Sequence, residues 1–461
     1  MLGAVALEAQ QATPMTVSVV QSASSADNPL LGSVPESKAV DGVLRLSLVE
    51  ALQRGLRSNL GALLSRESEI TAEAGRRRAQ NAFLPSASAK VAEESAQVDA
   101  DSMAFPRQAH TPYVYGPSGI FDMRAQVQQS LLDLHSLRQY RAAQAAEAAE
   151  KFSYQNMREL VALAVGLNYL QTLSAHSRVE AAEAEYASAK AVYDRAAAMK
   201  QAGVVAGIEV LGAQVQMQAR EQRMLVVRND EAKQKLMLAR VIGLADGQVF
   251  ELTDTMPAPA AEPFTLDELL QRALANRNEY REAEAKVKAA ELTLKAAQAE
   301  KLPTLGFAAD YGVAGKSMVQ DHGTYTAGVQ LNVPLYTGTR VKAEVQQAEA
   351  ALKSRQAQLD DMRGRIAYEV RSSWLDYQAA TEQLRVAEAN VKLARQQLDE
   401  SQDRFSAGVT TNVEVTQAQE ARATAEENFI SSLFSHNYSK LALARAAGFI
   451  EEAVKTIAGG R

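Results

Sequence analysis

The chain contains no cysteine and one tryptophan, and none of its apolar runs reaches the roughly 18 residues that a membrane-crossing helix needs. Without cysteine there are no disulfides, no thiolate metal sites and no lipid-accepting thiol near the N-terminus, which suits an oxidising compartment. Aromatic residues make up 6% of the chain against 47% hydrophobic, and the surplus is largely Ala. That composition favours long, closely packed helices over a thick globular core. A net charge of −6 over 461 residues argues against a nucleic-acid surface. The five histidines (His110, His135, His176, His322 and His436) show no paired metal-ligand spacing, so each reads as a surface or loop residue. Gly315-Lys316-Ser317 imitates the end of a phosphate-binding loop, but Asp310 stands where a glycine is needed, and the stretch reads as a hairpin turn. No catalytic constellation, metal site or cofactor site is expected, and the chain does not read as an enzyme.

What is present is a duplication. Residues 1–41 read as an extension, in which Met1-Leu2-Gly3-Ala4-Val5-Ala6-Leu7 reads as the tail of a truncated secretion signal or else a disordered start, and the Ser-, Ala- and Pro-rich remainder as flexible. From Leu46 through Leu48, Leu52, Leu56, Leu60, Leu63 and Leu64 the period is helical, ending near Phe83. After Leu84-Pro85 the period becomes two, with Ala87, Ala89 and Val91 alternating with Ser86, Ser88 and Lys90. A loop containing Phe105-Pro106 and Tyr113 to Pro117 follows. A second alternating run then sets Met123, Ala125, Val127 and Leu131 against Arg124, Gln126 and Gln128. From about Asp133 to Gln201 the pattern is one long helix. After a turn, a shorter helix runs to Ile242 and is closed by Gly243. The first repeat is thus 42–245, a Pro-bearing linker covers 246–263, the second repeat is 264–450 and a tail covers 451–461. Phe264-Thr265-Leu266 matches Leu46-Ser47-Leu48, and Leu302-Pro303 matches Leu84-Pro85, both about 218 residues on.

The two long helices need something to bury. In the second, Val370, Tyr377, Leu384, Val391, Leu398 and Phe405 recur every seven residues beside Ala380, Ala387 and Ala394, a coiled-coil seam. Trp374 matches Tyr169 of the first repeat, which makes it a packing residue, and Arg76-Arg77-Arg78 reads as a solvated helix face. Both long helices end in the same reversal, Ala202-Gly203-Val204 and Ala407-Gly408-Val409, where a left-handed glycine closes the helix without a Cβ penalty. An acid follows in the first turn of each returning helix, Glu209 and Glu414, where the helix dipole favours it. Thr411 and Glu414 also have capping-box spacing.

Four alternating runs of about ten residues have the length of tilted transmembrane β-strands. Leu305, Phe307, Tyr311, Val329 and Leu331 make an apolar face, while Arg124, Gln126, Gln128, Asp310, Gln330 and Asn332 make a polar one, as for lipid outside and a watery lumen inside. Two hairpins cannot close a barrel, and lipid does not tolerate open edges, so other copies of the chain must complete the wall. A small soluble sheet is the other reading of these strands, and a cytosolic coiled coil the other reading of the helices.

The duplicated helix–β-hairpin–helix plan, the Leu-Pro strand starts, Val333-Pro334-Leu335-Tyr336-Thr337-Gly338 and the two glycine tips with their following acids together resemble the TolC-like outer-membrane efflux protein family over residues 42–450. The resemblance implies a mainly α fold with a small β part: a homotrimeric α-helical barrel in the periplasm joined to a twelve-stranded transmembrane β-barrel in the outer membrane, four strands per chain. It implies a passive exit duct for a tripartite efflux or type I secretion system, docked to a periplasmic adaptor and through it to an inner-membrane transporter. It places the adaptor-docking tips at Gly203, Val204, Gly408, Val409 and Thr411, and the aperture at Phe405, Thr410, Glu414 and Gln417. Val replaces the Thr that often follows each tip glycine in the family, Gln417 replaces an acid, and Thr410 replaces a basic residue. The alternatives are a periplasmic adaptor, which has a single helical hairpin, and a coiled-coil scaffold.

Overall fold

The computed structural model describes residues 28–36, 38–39, 42–99, 114–203, 205–257, 264–407, 409–410 and 412–458. The expected secretion-signal remnant, the loop around Phe105-Pro106 and His110 lie outside them.

Strand β1 (Leu44–Leu46) leads into helix α1 (Leu48–Ser58), which opens on a reciprocal capping box between Ser47 and Glu50. The expected unbroken helix from Leu46 to Phe83 is therefore corrected twice. Leu46 is in a strand, and the helix breaks at Asn59, whose extended backbone ends α1 while its side chain caps α2 (Leu60–Gln80) through Gly61 N. After Leu84-Pro85 come β2 (Ser86–Asp99) and β3 (Val114–Leu132). Val114 to Pro117, expected in a loop, belong to β3, because antiparallel pairing with β2 continues past the alternating core of both strands. Helix α3 (Leu134–Gln201) starts on the side-chain cap of Asp133, and α4 (Gly207–Ile242) ends at Gly243 in the left-handed region. Strand β4 (Phe250–Leu252), inside the expected linker, pairs in parallel with β1.

The second half repeats the plan: α5 (Leu266–Asn276), opened by a capping box at Thr265 and Glu268, then a break at Arg277, then α6 (Asn278–Ala299). Strands β5 (Thr304–Ser317) and β6 (Gln320–Asn332) form a tight hairpin whose turn is Met318-Val319, just beyond Gly315-Lys316-Ser317. Helices α7 (Arg340–Ser406) and α8 (Asn412–Ala446) follow, and residues expected as a tail form α9 (Ile450–Ala458).

Lengths determine the shape. Helices α3 and α7 have 68 and 67 residues, about 100 Å each at 1.5 Å per residue. Helix α4, with 36 residues, spans about half of that, and its C-terminus abuts the α1–α2 break, where Asn59 Nδ2 donates to the Val241 carbonyl at 3.3 Å. Short helices therefore stack end to end along α3, and Gly448, which closes α8, meets Arg277 in the same way beside α7. The seam of α7 is as read: Val370, Tyr377, Leu384, Val391 and Leu398 are buried with Ala380, Ala387 and Ala394. Each large apolar side chain contributes about 1.5–3 kcal/mol of burial there.

The main cluster sits at mid-length, where Leu46, Leu48, Leu52, Val161, Val165, Tyr169, Leu170, Leu238, Ile242 and Ile450 pack together. Leu30 and Leu31 of the N-terminal extension and Val454 of α9 join it, so the described ends of the chain meet at the same height. Trp374 packs on the second cluster with Leu269, Ile366, Val370 and Tyr377, as its match to Tyr169 implied. Two readings are corrected here. His436 is buried, 1% exposed, against Tyr377. Arg76 is no solvated residue either: its Nε lies 2.5 Å from Glu147 Oε2 on α3, and only Arg77 and Arg78 of that run are exposed.

Candidate functional site

The four long strands form one antiparallel sheet in the order β2-β3-β5-β6, with β2 and β6 at its edges. The register aligns residue parity across all four strands. One row runs Ser88, Gln126, Asp310, Thr326, and the next runs Ala89, Ala125, Tyr311, Tyr325. Because side chains alternate between faces, the polar set Arg124, Gln126, Gln128 and Asp310 shares one face, together with Gln330 and Asn332 on β6. Arg124 is paired on that face: its Nε is 2.8 Å from Asp122 Oδ1, and its Nη1 is 2.7 Å from Asp310 Oδ1. On the opposite face Tyr311, Tyr325, Val329 and Leu331 are exposed, each with 62% or more of its surface free. Leu131 is corrected out of the alternation, because a bulge between Ser130 and Leu132 sets Leu132 opposite Leu305.

No helix among the described residues is long and apolar enough to cross a membrane. That says nothing about strands, and an exposed apolar sheet face is what strands facing lipid require.

At the far end of the long helices lie the tips. Gly203 has φ +74°, the left-handed conformation expected of a helix-closing glycine, and a Cβ there would meet open space. Val204, Gly408 and Thr411 lie outside the described residues, and with Thr411 goes the expected capping box. Phe405 is in the last turns of α7. Val409 is 70% exposed, and its N donates to the Arg404 carbonyl at 3.0 Å, closing the end of α7. Glu209 and Glu414 are each in the first turn of the returning helix. Gln417 is exposed one turn further along α8.

Glu414 is where the tip departs from its reading. The sequence reading named no partner for it, yet Arg404 Nη1 lies 3.3 Å from Glu414 Oε1, and the Thr410 hydroxyl donates to Glu414 Oε2. A base four residues before the glycine and an acid six residues after it would have shown this in the sequence.

A third group was missed altogether. Near mid-length, Arg277 and Arg445 are 2% and 7% exposed, and both reach Glu279: Arg277 Nη2 at 2.5 Å and Arg445 Nη2 at 2.7 Å. Arg277 Nη1 also lies 2.5 Å from Glu369 on α7, and Asn278 Nδ2 donates to Glu159 on α3 at 2.7 Å. Burial opposes ionisation of Glu279, but the Arg445 and Arg277 guanidinium groups outweigh it and hold the carboxyl below the usual range. For Glu159 burial prevails over Arg445, 3.8 Å away, and raises the carboxyl above that range. This cluster joins α3, α6, α7 and α8. No group of histidines and carboxylates among the described residues is arranged to hold a metal ion.

Comparison with known proteins agrees with this architecture. A family model described as outer membrane efflux protein matches residues 269–448. The alkaline protease secretion protein AprF of Pseudomonas aeruginosa is 24% identical over 71% of this chain and 69% of its own. The outer membrane protein TolC of Escherichia coli is 21% identical over the same shares, 71% and 69%. The crystal structure of the Campylobacter jejuni CmeC outer membrane channel superposes with a TM-score of 0.72 at 16% identity, covering 94% of this chain and 95% of that one.

Proposed function

The chain is a member of the TolC-like outer-membrane efflux protein family, and from that premise we propose that it is the outer-membrane exit duct of a tripartite efflux or type I secretion system. Three copies supply twelve strands, closing a barrel whose polar face lines the lumen and whose Tyr311, Tyr325, Val329 and Leu331 face lipid. The helical hairpins continue the conduit into the periplasm. Their tips, at Gly203, Val204, Gly408, Val409 and Thr411, dock a periplasmic adaptor that links the duct to an inner-membrane transporter. Phe405, Thr410, Glu414 and Gln417 form the aperture that adaptor contact opens. Solutes then move passively, and the chain carries out no chemistry.

What supports this reading most is the open ribbon. A four-stranded sheet with two free edges and an exposed apolar face is unstable alone in either water or lipid, and closure by further copies removes both problems. A periplasmic adaptor or a coiled-coil scaffold would have no use for that ribbon. Purified protein added to a planar lipid bilayer tests the proposal: stepwise conductance is the expected result, and a protein that stays monomeric without detergent and never conducts refutes it.

A further inference from the structure

The two tips differ in their charge arrangement. At the first, Ala206 precedes α4 and offers no side-chain cap, and Glu209 stands in the helix's first turn. At the second, the carboxylate of Glu414 is bound on both oxygens, by the Arg404 guanidinium at 3.3 Å and by the Thr410 hydroxyl. Gln417, one turn on, carries no charge.

We propose that Arg404 determines the ion selectivity of this channel by cancelling the fixed charge of Glu414 at the aperture. The inference rests on the channel reading above and on its assignment of Glu414 to the aperture. An ion passing about 8 Å from an unpaired carboxylate in water gains enough attraction to raise the local cation concentration about twofold, and salt screens the effect only over about the same distance. When a guanidinium lies 3.3 Å from that carboxylate, the passing ion meets a short dipole in place of a charge. Arg404 and Glu414 thus act as one neutral unit, and Arg404 is a positioning and compensating residue. The pair is too exposed, 51% and 38%, to contribute much to stability, so removing either member leaves the fold intact.

Three variants in planar bilayers under a KCl gradient test this, each first confirmed to run as the same oligomer as the wild type. Arg404→Gln should raise the cation-to-anion permeability ratio about twofold or more, because Glu414 is released. Glu414→Gln should lower it by a similar factor. The double variant should return to the wild-type ratio. If Arg404→Gln leaves the ratio unchanged, or the double variant matches Glu414→Gln, then Glu414 acts alone and the proposal is overturned. A wild-type protein that conducts but is indifferent to all three overturns it as well, with the channel reading untouched. Absence of any conductance from the wild type removes the channel reading first and this inference with it.

Discussion

At the first joint of the duplicated chain a neutral amide closes the gap between helices; about 218 residues later a guanidinium closes the matching gap. Asn59 is fully buried, takes Gly61 N on its Oδ1, and donates from Nδ2 to the carbonyls of Leu30 at 2.8 Å and Val241 at 3.3 Å. Its neighbours are Leu, Val and Ile, and residues Asn28 to Glu36 lie across it as a strap: Val34 N donates to Ser58 O, and Glu36 N to Gly243 O. Arg277 holds the same kind of helix break, but a buried cation needs carboxylates, and it draws them from α6 and α7 while Arg445 enters from α8. The copies kept the backbone geometry and exchanged the means of satisfying it. An amide needs two carbonyls that the fold already offers, whereas a guanidinium recruits charged groups from distant helices. The second joint is therefore more strongly coupled than the first.

Substitution at the two breaks should show the largest contrast. Arg277→Ala takes the buried guanidinium from Glu369 and leaves Glu279 with Arg445 alone of its two buried partners, and should cost about 3–5 kcal/mol. Asn59→Ala orphans two carbonyls and one amide and should cost about 1–3 kcal/mol. Guanidinium unfolding of the detergent-held protein, followed by helical circular dichroism, measures both, and equal losses would mean that the joints are energetically alike.

Within the second joint the two acids should part. Glu279→Gln removes the charge that two buried guanidinium groups share and should cost about 3 kcal/mol. Glu159→Gln keeps the acceptor for Asn278 and should change stability by less than about 1 kcal/mol. Their pH dependences have opposite signs. Glu279, with its folded pKa lowered, contributes stability that is present above the ordinary carboxylate pKa of about 4.3 and is lost as pH falls through the lower folded value. Glu159, with its folded pKa raised, favours the folded state at acid pH and loses that advantage as pH rises through the folded value. Unfolding midpoints of Glu159→Gln should therefore gain on the wild type as pH rises above the ordinary carboxylate value of about 4.3. A gap that shrinks over that range would contradict the assignment.

The helix-closing glycines give the smallest contrast. Gly243 and Gly448 have φ +72° and +78°, so alanine costs about 1 kcal/mol at either for backbone conformation. At Gly243 a Cβ would also overlap the Ser58 side chain, while at Gly448 the nearest atom is Arg277 N at 3.3 Å. Gly243→Ala should therefore unfold at the lower denaturant concentration of the two, and the reverse order would show that Ser58 gives way easily.

Much of the fold was legible because its signals are periodic or local. The seven-residue spacing from Val370 to Leu398, the alternation from Leu305 to Tyr311, the closing Gly243 and the capping box at Thr265 each need only a short window of sequence. The breaks at Asn59 and Arg277 were not legible, since neither residue type forces the extended backbone that it adopts there; the ends of α4 and α8 pack against these two positions. The extra length of β2 and β3 was hidden because Glu93, Glu94 and Ser95 carry no alternation, and neither do Gly116-Pro117, which fall where the register shifts between Ala96 and Val98. Arg445 looked like an ordinary basic residue near a helix C-terminus, and only the fold brings Glu279 and Glu159 to it from far along the chain. Of the tip, the glycine and acid could be read directly, and the counter-ion Arg404 could have been, one turn from Gly408.

Whether several copies share one wall can be tested with bonds. Strands β2 and β6 are the two edges of a four-stranded sheet, so within one chain they stand about 14 Å apart at 4.8 Å per strand, beyond the roughly 7 Å that a disulfide spans. The chain has no cysteine of its own, so cysteines introduced pairwise along Ala87–Val91 in β2 and Thr324–Gly328 in β6 can bond only to each other. Oxidation in outer membranes should yield a covalent ladder that stops at three chains for pairs in register. Products that never exceed one chain at any pair, or a ladder that stops at another number, would contradict the shared twelve-stranded barrel.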